Sequence, residues 1–326
     1  MKIKVTQLET LVAKALKNYG YNETEIPIIS KILLFAQLRG NNQGVVKLIG
    51  KGIPRRNETG APTIVKETPV SARFDGNKNH AMIVMNMTTE TAIEKAKKTG
   101  IGIVGSFNTS ESTGVLGYYV NKIAKEGLIG IAYVASPFKT TAPYGSNEAL
   151  FCTNPIAHGI PTTTDPIIFD MSTSTMAYYG LIEANTAGKT VPEGTGFDKD
   201  GNPSQNPAEI MAGALRAFGG YKGSGMALMV QILGAVLVGA DSFNSESDNA
   251  GNLVMAIDPD VLTSKEEFAQ KVSDILARIK SARRVDEGTE ILIPGERASS
   301  FNKGVLETGE IEIEENLYNE LVKVAG

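Results

Sequence analysis

Three polar stretches carry residue types that hold anions or substrate carboxylates. The first is Asp170-Met-Ser-Thr-Ser-Thr175, a carboxylate followed by small hydroxyl side chains at the end of an apolar run. Such hydroxyls suit a ribose or a phosphate, but taken by themselves they favour capping of a helix that starts near Met176. The second is Gly219-Gly-Tyr-Lys-Gly-Ser-Gly225, read as a glycine-rich entry into an apolar helix. Its backbone N–H groups, the helix start and Lys222 would together suit a pyrophosphate; a bare helix entry with an exposed lysine fits equally. The spacing G-x-x-x-x-G-K-[ST] is missing, which excludes a P-loop. The third is Cys152-Thr-Asn-Pro155, where Thr153 and Asn154 before a rigid proline suit either a substrate carboxylate or an ordinary loop.

The remaining reactive groups carry less. His80 follows Asp-Gly-Asn-Lys-Asn and reads as part of a solvated turn. His158, in "IAHGI", reads as a satisfied core or strand histidine, and neither lies in a pattern for acid–base work. With two histidines and one cysteine in the chain, no metal site is expected. Cys152 has no disulfide partner and no cue for thiolate activation, so it reads as structural. Arg283 and Arg284 close a charged helix, where they suit its dipole or a cofactor phosphate. The glutamates of "GEIEIEEN" read as a solvated strand face followed by a helix cap. The letters G-x-G-x-x-G occur at Gly100, Gly102 and Gly105, but a dinucleotide turn needs a strand before them and a helix after. Here "TTETAIEKAKKT" reads as a helix capped by Thr89 and closed by Gly100, and "IGIVGSF" as a buried strand. The order is reversed, so a Rossmann turn is excluded there.

These groups must be positioned by 326 residues, 42% hydrophobic and 21% charged, an ordinary soluble composition with a core large enough for two domains. A formal net charge of −4, the absence of tryptophan and no interleaving of aromatic with basic residues argue against nucleic acid or an anionic membrane as partner. The longest apolar run, Met226 to Ala240, is shorter than the roughly 20 residues of a membrane span and reads as a buried core helix. The charged amphipathic start is unlike a signal peptide, and a cytoplasmic location is expected.

Residues 1 to about 50 read as helices, with Asn22 capping the second and Gly40 ending it. Beyond them the pattern alternates: "AMIVMNM" as strand, 89–99 as helix, 101–107 as strand, then "GVLGYYVNKIAKEG" as helix and "LIGIAYVAS" as strand, a β-α-β succession. Residues 137–161 read as loop, "PIIFDM" as strand, Asp198 to Asn202 as a reverse turn and "NLVMAIDPD" as strand. "SKEEFAQKVSDILARIKSARR" reads as a helix, "EILIPGERA" as a strand ending in a turn, and the C-terminus as a short strand and helix.

The order of "LRGNNQGVVKLIG", "APYGSNEALFCTNPIAHGIP", "FDMSTSTMAYYGLIEA", "GGYKGSGMALMVQILGAVLVGA" and "IPGERA" resembles the malate/L-lactate dehydrogenase family. That family includes ureidoglycolate and sulfolactate dehydrogenases, 2,3-diketo-L-gulonate reductase and piperideine-2-carboxylate reductases, and is distinct from the Rossmann lactate and malate dehydrogenases. The resemblance implies an α/β (α+β) fold without a Rossmann sheet. A helical N-terminal domain of residues 1–70, joined by 265–326, would flank a central cofactor-binding α+β domain of residues 71–264. It implies NAD or NADP as cofactor, held by Asp170, Met171, Ser172, Thr173, Ser174, Thr175, Met176, Lys222, Gly223, Gly295, Glu296 and Arg297. It also implies hydride transfer at a small 2-oxo or 2-hydroxy acid or a cyclic imino acid, and a homodimer.

The departures bear on chemistry. The family's Ser-His-Gly motif, whose histidine moves the proton, corresponds here to Asn42-Gln43-Gly44. A second family histidine corresponds to Ser112, and the arginine for the substrate carboxylate to Lys47; Thr153 is retained. Lysine keeps the charge but loses bidentate geometry. Reducing a ketone creates an alkoxide, for which a proton donor is worth roughly a hundredfold or more. A protonated imine needs no such donor, so the resemblance without its histidines implies an imine-type substrate; Lys47, Tyr118, Tyr119 or a water held by Gln43 and Ser112 would serve a ketone. A family member that binds cofactor without dehydrogenase activity is the alternative.

Overall fold

The computed structural model describes residues 1–41, 43–243 and 247–326; Asn42 of the expected Asn-Gln-Gly motif lies outside the described residues. The chain opens with β1 (Lys2–Lys4) and α1 (Val5–Asn18), in which Leu8, Val12, Ala15 and Leu16 fall on one buried face. In front of α2 (Glu25–Gln37), the Asn22 side chain accepts from the N–H of Thr24 and Glu25, and the Glu25 carboxylate returns to Asn22 N–H. Gly40, with φ +66°, ends this helical entry as expected. A 3-10 turn, Val45–Leu48, then carries Lys47 inward.

The sheet begins with β2 (Thr63–Glu67) and β3 (Ser71–Asp75), followed by α3 (Ala81–Thr99) and β4 (Ile101–Thr109). "AMIVMNM" is thus the first part of a helix, not a strand. Met82, Val84 and Met85 are all fully buried, so no polar face betrays the period of 3.6. The cap is not Thr89 but His80, whose Nδ1 accepts from Met82 N–H at 3.1 Å. Gly100 closes α3 at φ +86°, and its N–H reaches Ala96 O. The glycine-rich stretch therefore runs from helix to strand.

Next come α4 (Gly117–Ala124), β5 (Ile129–Ala135), β6 (Thr141–Ala142), β7 (Ile156–Ile160) and β8 (Ile167–Met171). α5 (Tyr178–Thr186), β9 (Gly196–Phe197), β10 (Pro203–Ser204), α6 (Pro207–Ala212) and β11 (Ala214–Arg216) follow, and then α7 (Tyr221–Gln231). The chain ends with β12 (Ala250–Ile257), α8 (Lys265–Lys280), α9 (Glu296–Thr308), β13 (Glu310–Glu312) and α10 (Glu315–Ala325). The main sheet has the order β2-β3-β4-β12-β5-β7-β8. β3 and β4 pair in parallel around α3, whereas β12 lies antiparallel between β4 and β5. This is a mixed sheet, not a doubly wound parallel one. A small sheet, β10-β9-β11-β6, stands beside it, and β1 pairs with β13 so that the two chain ends meet.

Three further expectations change. The loop 137–161 contains strands β6 and β7, with His158 on β7. "EILIPGERA" holds no strand; Gly295, at φ +91°, instead starts α9. Helix α7 begins at Tyr221, so Lys222 and Gly223 lie inside it, and it is not a buried core helix. Ala227 and Val230 are buried, but Leu228, Met229, Ile232, Val236 and Leu237 of this segment are exposed. An all-apolar run tells burial of the helix from burial in a partner no better than hydropathy does.

Candidate active site

Lys47 is 2% exposed, and its Nζ donates to Ser112 Oγ at 2.9 Å. The same amine lies 3.4 Å from the centroid of the Tyr179 ring. Among the described residues, no carboxylate lies within 4.0 Å of it. Burial holds the amine well below the ordinary lysine pKa, with the charge of Glu111 opposing the shift. Two positions that matter by resemblance, 47 and 112, are thus joined directly. Gln43 is half-buried, and its N–H is held by Asn41 Oδ1 at 2.8 Å.

His80 stands in the same neighbourhood and corrects its reading as a solvated turn residue. It is 3% exposed and packs edge-on against Tyr21, with ring centroids 5.8 Å apart. Burial, assisted by the charges of Lys47 and Arg56, lowers its pKa to about 3, so the ring is neutral. Because Nδ1 accepts from Met82 N–H, the proton sits on Nε2, which has no hydrogen-bond partner. Asparagines and a glycine precede it in sequence, and nothing there signals that the cap turns inward.

The hydroxyl turn after β8 does not cap α5, whose N-cap is Ala177 without a side-chain bond. Thr173 Oγ1 donates to the carbonyls of Thr153 and Asn154, at 3.0 and 3.1 Å. Thr175 Oγ1 donates to Thr195 O, and Ser174 Oγ to Met176 O. Ser172 Oγ donates weakly to Ser174 O at 3.3 Å. Asp170 accepts from Gly117 N–H and so caps α4, while burial raises its pKa to about 6 against the backbone N–H groups of Gly117 and Leu116. The turn's hydroxyls, and the N–H groups of Thr173 and Thr175, are therefore engaged within the protein.

The candidate segments converge. Thr175 N–H donates to Arg216 O at 2.8 Å, and Phe218 N–H to Thr173 O at 3.0 Å, tying the turn to the entry of α7. Asn154, fully buried, donates through Nδ2 to Ala227 O and Gln231 Oε1. A Cβ at Gly295 would lie 2.9 Å from Ile168 O, so the start of α9 packs on β8 just ahead of Asp170. Lys222 and Arg297 are exposed in the first turns of α7 and α9, and Gly223 is packed against Phe218 O. Glu296 is held by Lys280 at 2.7 Å, which depresses its pKa. Tyr179, which follows the turn on α5, reaches Lys47 and closes the constellation; no sequence signal marked it.

Known proteins resemble this chain over nearly its whole length. The profile of the family described as malate/L-lactate dehydrogenase matches residues 3–322. The chain belongs to the malate/L-lactate dehydrogenase family. L-sulfolactate dehydrogenase of Methanocaldococcus jannaschii is 33% identical over 99% of this chain and 96% of its own. A Delta(1)-pyrroline-2-carboxylate/Delta(1)-piperideine-2-carboxylate reductase of Pseudomonas putida is 30% identical over 86% of each. The solved malate dehydrogenase of Pyrococcus horikoshii superposes with a TM-score of 0.86 at 30% identity, covering 99% of this chain and 95% of that one. As a member of this family of dehydrogenases and reductases, the chain is an oxidoreductase with a mixed helix and sheet fold.

Within that family frame, the residues present suit a dinucleotide. Helices α3, α6, α8 and α10 have side-chain N-caps, whereas the cap residues of α1, α2 and α4 make no side-chain bond, and neither do those of α5, α7 and α9. The last three begin at the three segments named for the cofactor, and their first-turn N–H groups are unclaimed by cap side chains. Tyr119, in contrast, donates its hydroxyl to Thr113 O at 2.6 Å, which argues against it as a proton source. Tyr118 packs edge-on against Phe35, with burial raising its pKa. Cys152 is likewise raised by burial, consistent with a structural thiol. Among the described residues, no helix is long and apolar enough to cross a membrane, and no group of His, Cys, Asp or Glu is arranged to hold a metal.

Proposed function

We propose that the chain is an NAD(P)-dependent oxidoreductase that transfers a hydride to or from a small 2-oxo or 2-hydroxy acid or a cyclic imino acid, with an imine-type substrate favoured. The observation that carries the reading is the buried Lys47 amine, bonded to Ser112 and lacking a carboxylate partner among the described residues. A site that keeps a lysine dry and unpaired is prepared for a substrate anion. NAD(H) or NADP(H) supplies the hydride acceptor or donor when bound. Asp170, Met171, Ser172, Thr173, Ser174, Thr175, Met176, Lys222, Gly223, Gly295, Glu296 and Arg297 line the segments that would hold it, largely through backbone groups.

Lys47 orients the substrate carboxylate, and Thr153 flanks it on the loop fixed by Thr173. Tyr179 covers the amine and excludes water. No imidazole stands at positions 43 or 112, and His80, neutral and buried, carries its proton on an unpaired Nε2. A protonated cyclic imine arrives with the proton that a ketone would have to receive, and its nitrogen leaves as a neutral amine. This supports the imine over the ketone. The name of the Pseudomonas putida relative supports the same choice.

The exposed apolar face of α7 supports a homodimer, and the β1–β13 pairing supports the division into residues 1–70 with 265–326 against 71–264. We place the protein in the cytoplasm. The test is turnover of NADPH and NADH with 1-piperideine-2-carboxylate, 1-pyrroline-2-carboxylate, pyruvate and oxaloacetate, alongside thermal-shift titration of each coenzyme. Imine turnover above ketone turnover supports the reading. Coenzyme binding with no turnover of any substrate points to a binding protein without dehydrogenase activity, and no coenzyme binding overturns both.

A further inference from the structure

Arg216, the last residue of β11, faces a cavity of about 580 Å³ that lies beside the segments named above and shares Thr175, Gly219 and Gly220 with them. Its walls include Tyr144, Asn147, Phe197, Gly219 and Gly220. The guanidinium carbon sits 4.3 Å from the centroid of the Phe197 ring, which fixes the side chain by stacking. Nε is buried without a hydrogen-bond partner, and among the described residues no carboxylate lies within 4.0 Å of the guanidinium. Arg55 and Arg56 show the ordinary alternative, since each is paired with carboxylates. A planar donor group held rigid, partly desolvated and unpaired is costly unless an acceptor arrives. Its fork matches two oxygens of one oxyanion.

The rest of the cavity specifies what carries that oxyanion. Gly219 and Gly220 adopt φ of +56° and +64° at the rim, and the uncapped first turn of α7 follows them. Tyr144 and Tyr221, exposed by 67% and 65%, meet edge to face with centroids 6.1 Å apart. A Cβ at Gly220 would come within 3.3 Å of the Tyr144 ring, so the glycine lets this aromatic wall close on the turn. An oxyanion fork beside exposed aromatic faces suits a phosphate attached to a planar base.

We propose that this cavity binds the phosphomonoester of an adenine ribonucleotide, with Arg216 as its bidentate partner. The group is either the 2′-phosphate of NADP or the phosphate of a separate mononucleotide. The coenzyme source rests on the dehydrogenase reading and the mononucleotide source does not, and binding without turnover tests both apart from catalysis. The experiment is calorimetric titration of the full chain with 2′-AMP, 5′-AMP and adenosine. One variant is Arg216→Gln, and the other is Gly219→Asp, which leaves the arginine in place. No atom lies within 4 Å of the Cβ that Gly219 would gain, and aspartate tolerates a left-handed backbone better than most residues.

A phosphorylated nucleotide is expected to bind more tightly than adenosine, and each variant to weaken it by roughly tenfold or more, with adenosine unchanged. Preference for 2′-AMP, with competition by NADPH but not NADH, assigns the coenzyme as source. Preference for 5′-AMP without such competition assigns a separate nucleotide. Equal affinity for adenosine and its phosphates overturns the site. Phosphate-dependent binding retained by both folded variants overturns the role of Arg216.

Discussion

Replacing Lys47 by methionine separates the cost of burying an amine from its use. In the wild-type protein the amine has one hydrogen bond, to Ser112, and burial drives its pKa down. A base whose pKa is lower in the folded than in the unfolded chain binds fewer protons when folded. Stability therefore rises with pH between the folded pKa and the ordinary lysine value, is fully recovered above that value, and is lost as pH falls through the folded pKa. One proton gives a slope of at most about 1.4 kcal/mol per pH unit. From pH 7 to 9 the wild type can gain up to about 2.8 kcal/mol that Lys47→Met cannot. Methionine has nearly the same length, and its sulfur can pack on the Tyr179 face. Ser112 Oγ keeps the N–H of Gly114 at 3.1 Å, so the variant strands little.

The assay is urea denaturation of both proteins at several pH values from 6 to 10, with the difference in unfolding free energy plotted against pH. The variant is expected to be the more stable at low pH, and the gap should shrink as pH rises. Substrate affinity should move the opposite way. A carboxylate docked on Lys47 raises its pKa, so binding takes up a proton and KM for 2-oxo and imino acids rises with pH above the free-enzyme value. Lys47→Met should raise KM strongly and abolish that pH dependence. Parallel stability curves for the two proteins would refute the buried amine, and an unchanged KM would refute its role as the carboxylate anchor.

Adding imidazoles tests the proton relay: Gln43→His with Ser112→His should raise 2-oxo acid reduction about a hundredfold while leaving imine reduction near its original rate. No gain with the ketone counts against the relay as the limitation. For Asp170, the folded pKa of about 6 lies above the ordinary carboxylate value. Its contribution is therefore favourable below about pH 4 and lost as pH rises through 6, a difference of about 3 kcal/mol. Asp170→Asn keeps an acceptor for Gly117 N–H and should flatten stability over that window, as read by chemical denaturation; an unchanged slope argues for a solvated carboxylate. Ala177 has the extended backbone of an N-cap, φ −66° and ψ 141°, without a capping oxygen. Ala177→Ser should stabilise the coenzyme-free protein by about 1 kcal/mol and weaken NAD(P)H binding, measured by thermal melting and titration. Stabilisation without loss of binding removes α5 from the coenzyme site.

The sequence carried the elements whose two faces differ. α1 shows its buried Leu8, Val12 and Leu16 against exposed polar residues, and α8 shows Ser264 as cap with Glu266 and Glu267 in its first turn. α3 was lost because its first turns are buried on every side, which removes the amphipathic signal and makes helix and strand look alike. Its cap compounded the error, since histidine is not among the usual capping residues. α7 failed differently: apolar residues all round cannot distinguish a core helix from one whose outer face is exposed, as Leu228, Met229 and Ile232 are. At the site, position 47 was named through the family resemblance, as a departure from its arginine, and the structure buries it against Ser112, while the hydroxyl turn stood out as a local run of residue types. Tyr179 and His80 were not legible, because each acquires its surroundings only when distant parts of the chain meet.

The same difference governs the hydroxyls of 172–175, whose residue types favour a helix cap that α5 does not take from them. In water each hydroxyl looks like a donor free for a ribose or phosphate. In the folded chain Thr173 and Thr175 donate to carbonyls of the loops they hold, so their work is to fix where the turn's backbone lies. Helices α5, α7 and α9 lack a side-chain cap, at a cost of about 1 kcal/mol for Ala177 of α5 and only about a few tenths for the glycines before α7 and α9. A chain that caps α3, α6, α8 and α10 by side chains is able to cap helices. Helix α1 is open as well, so an absent cap does not by itself mark a ligand site; what sets α5 and α7 apart is that the Thr175 and Phe218 bonds bring the segments before them together.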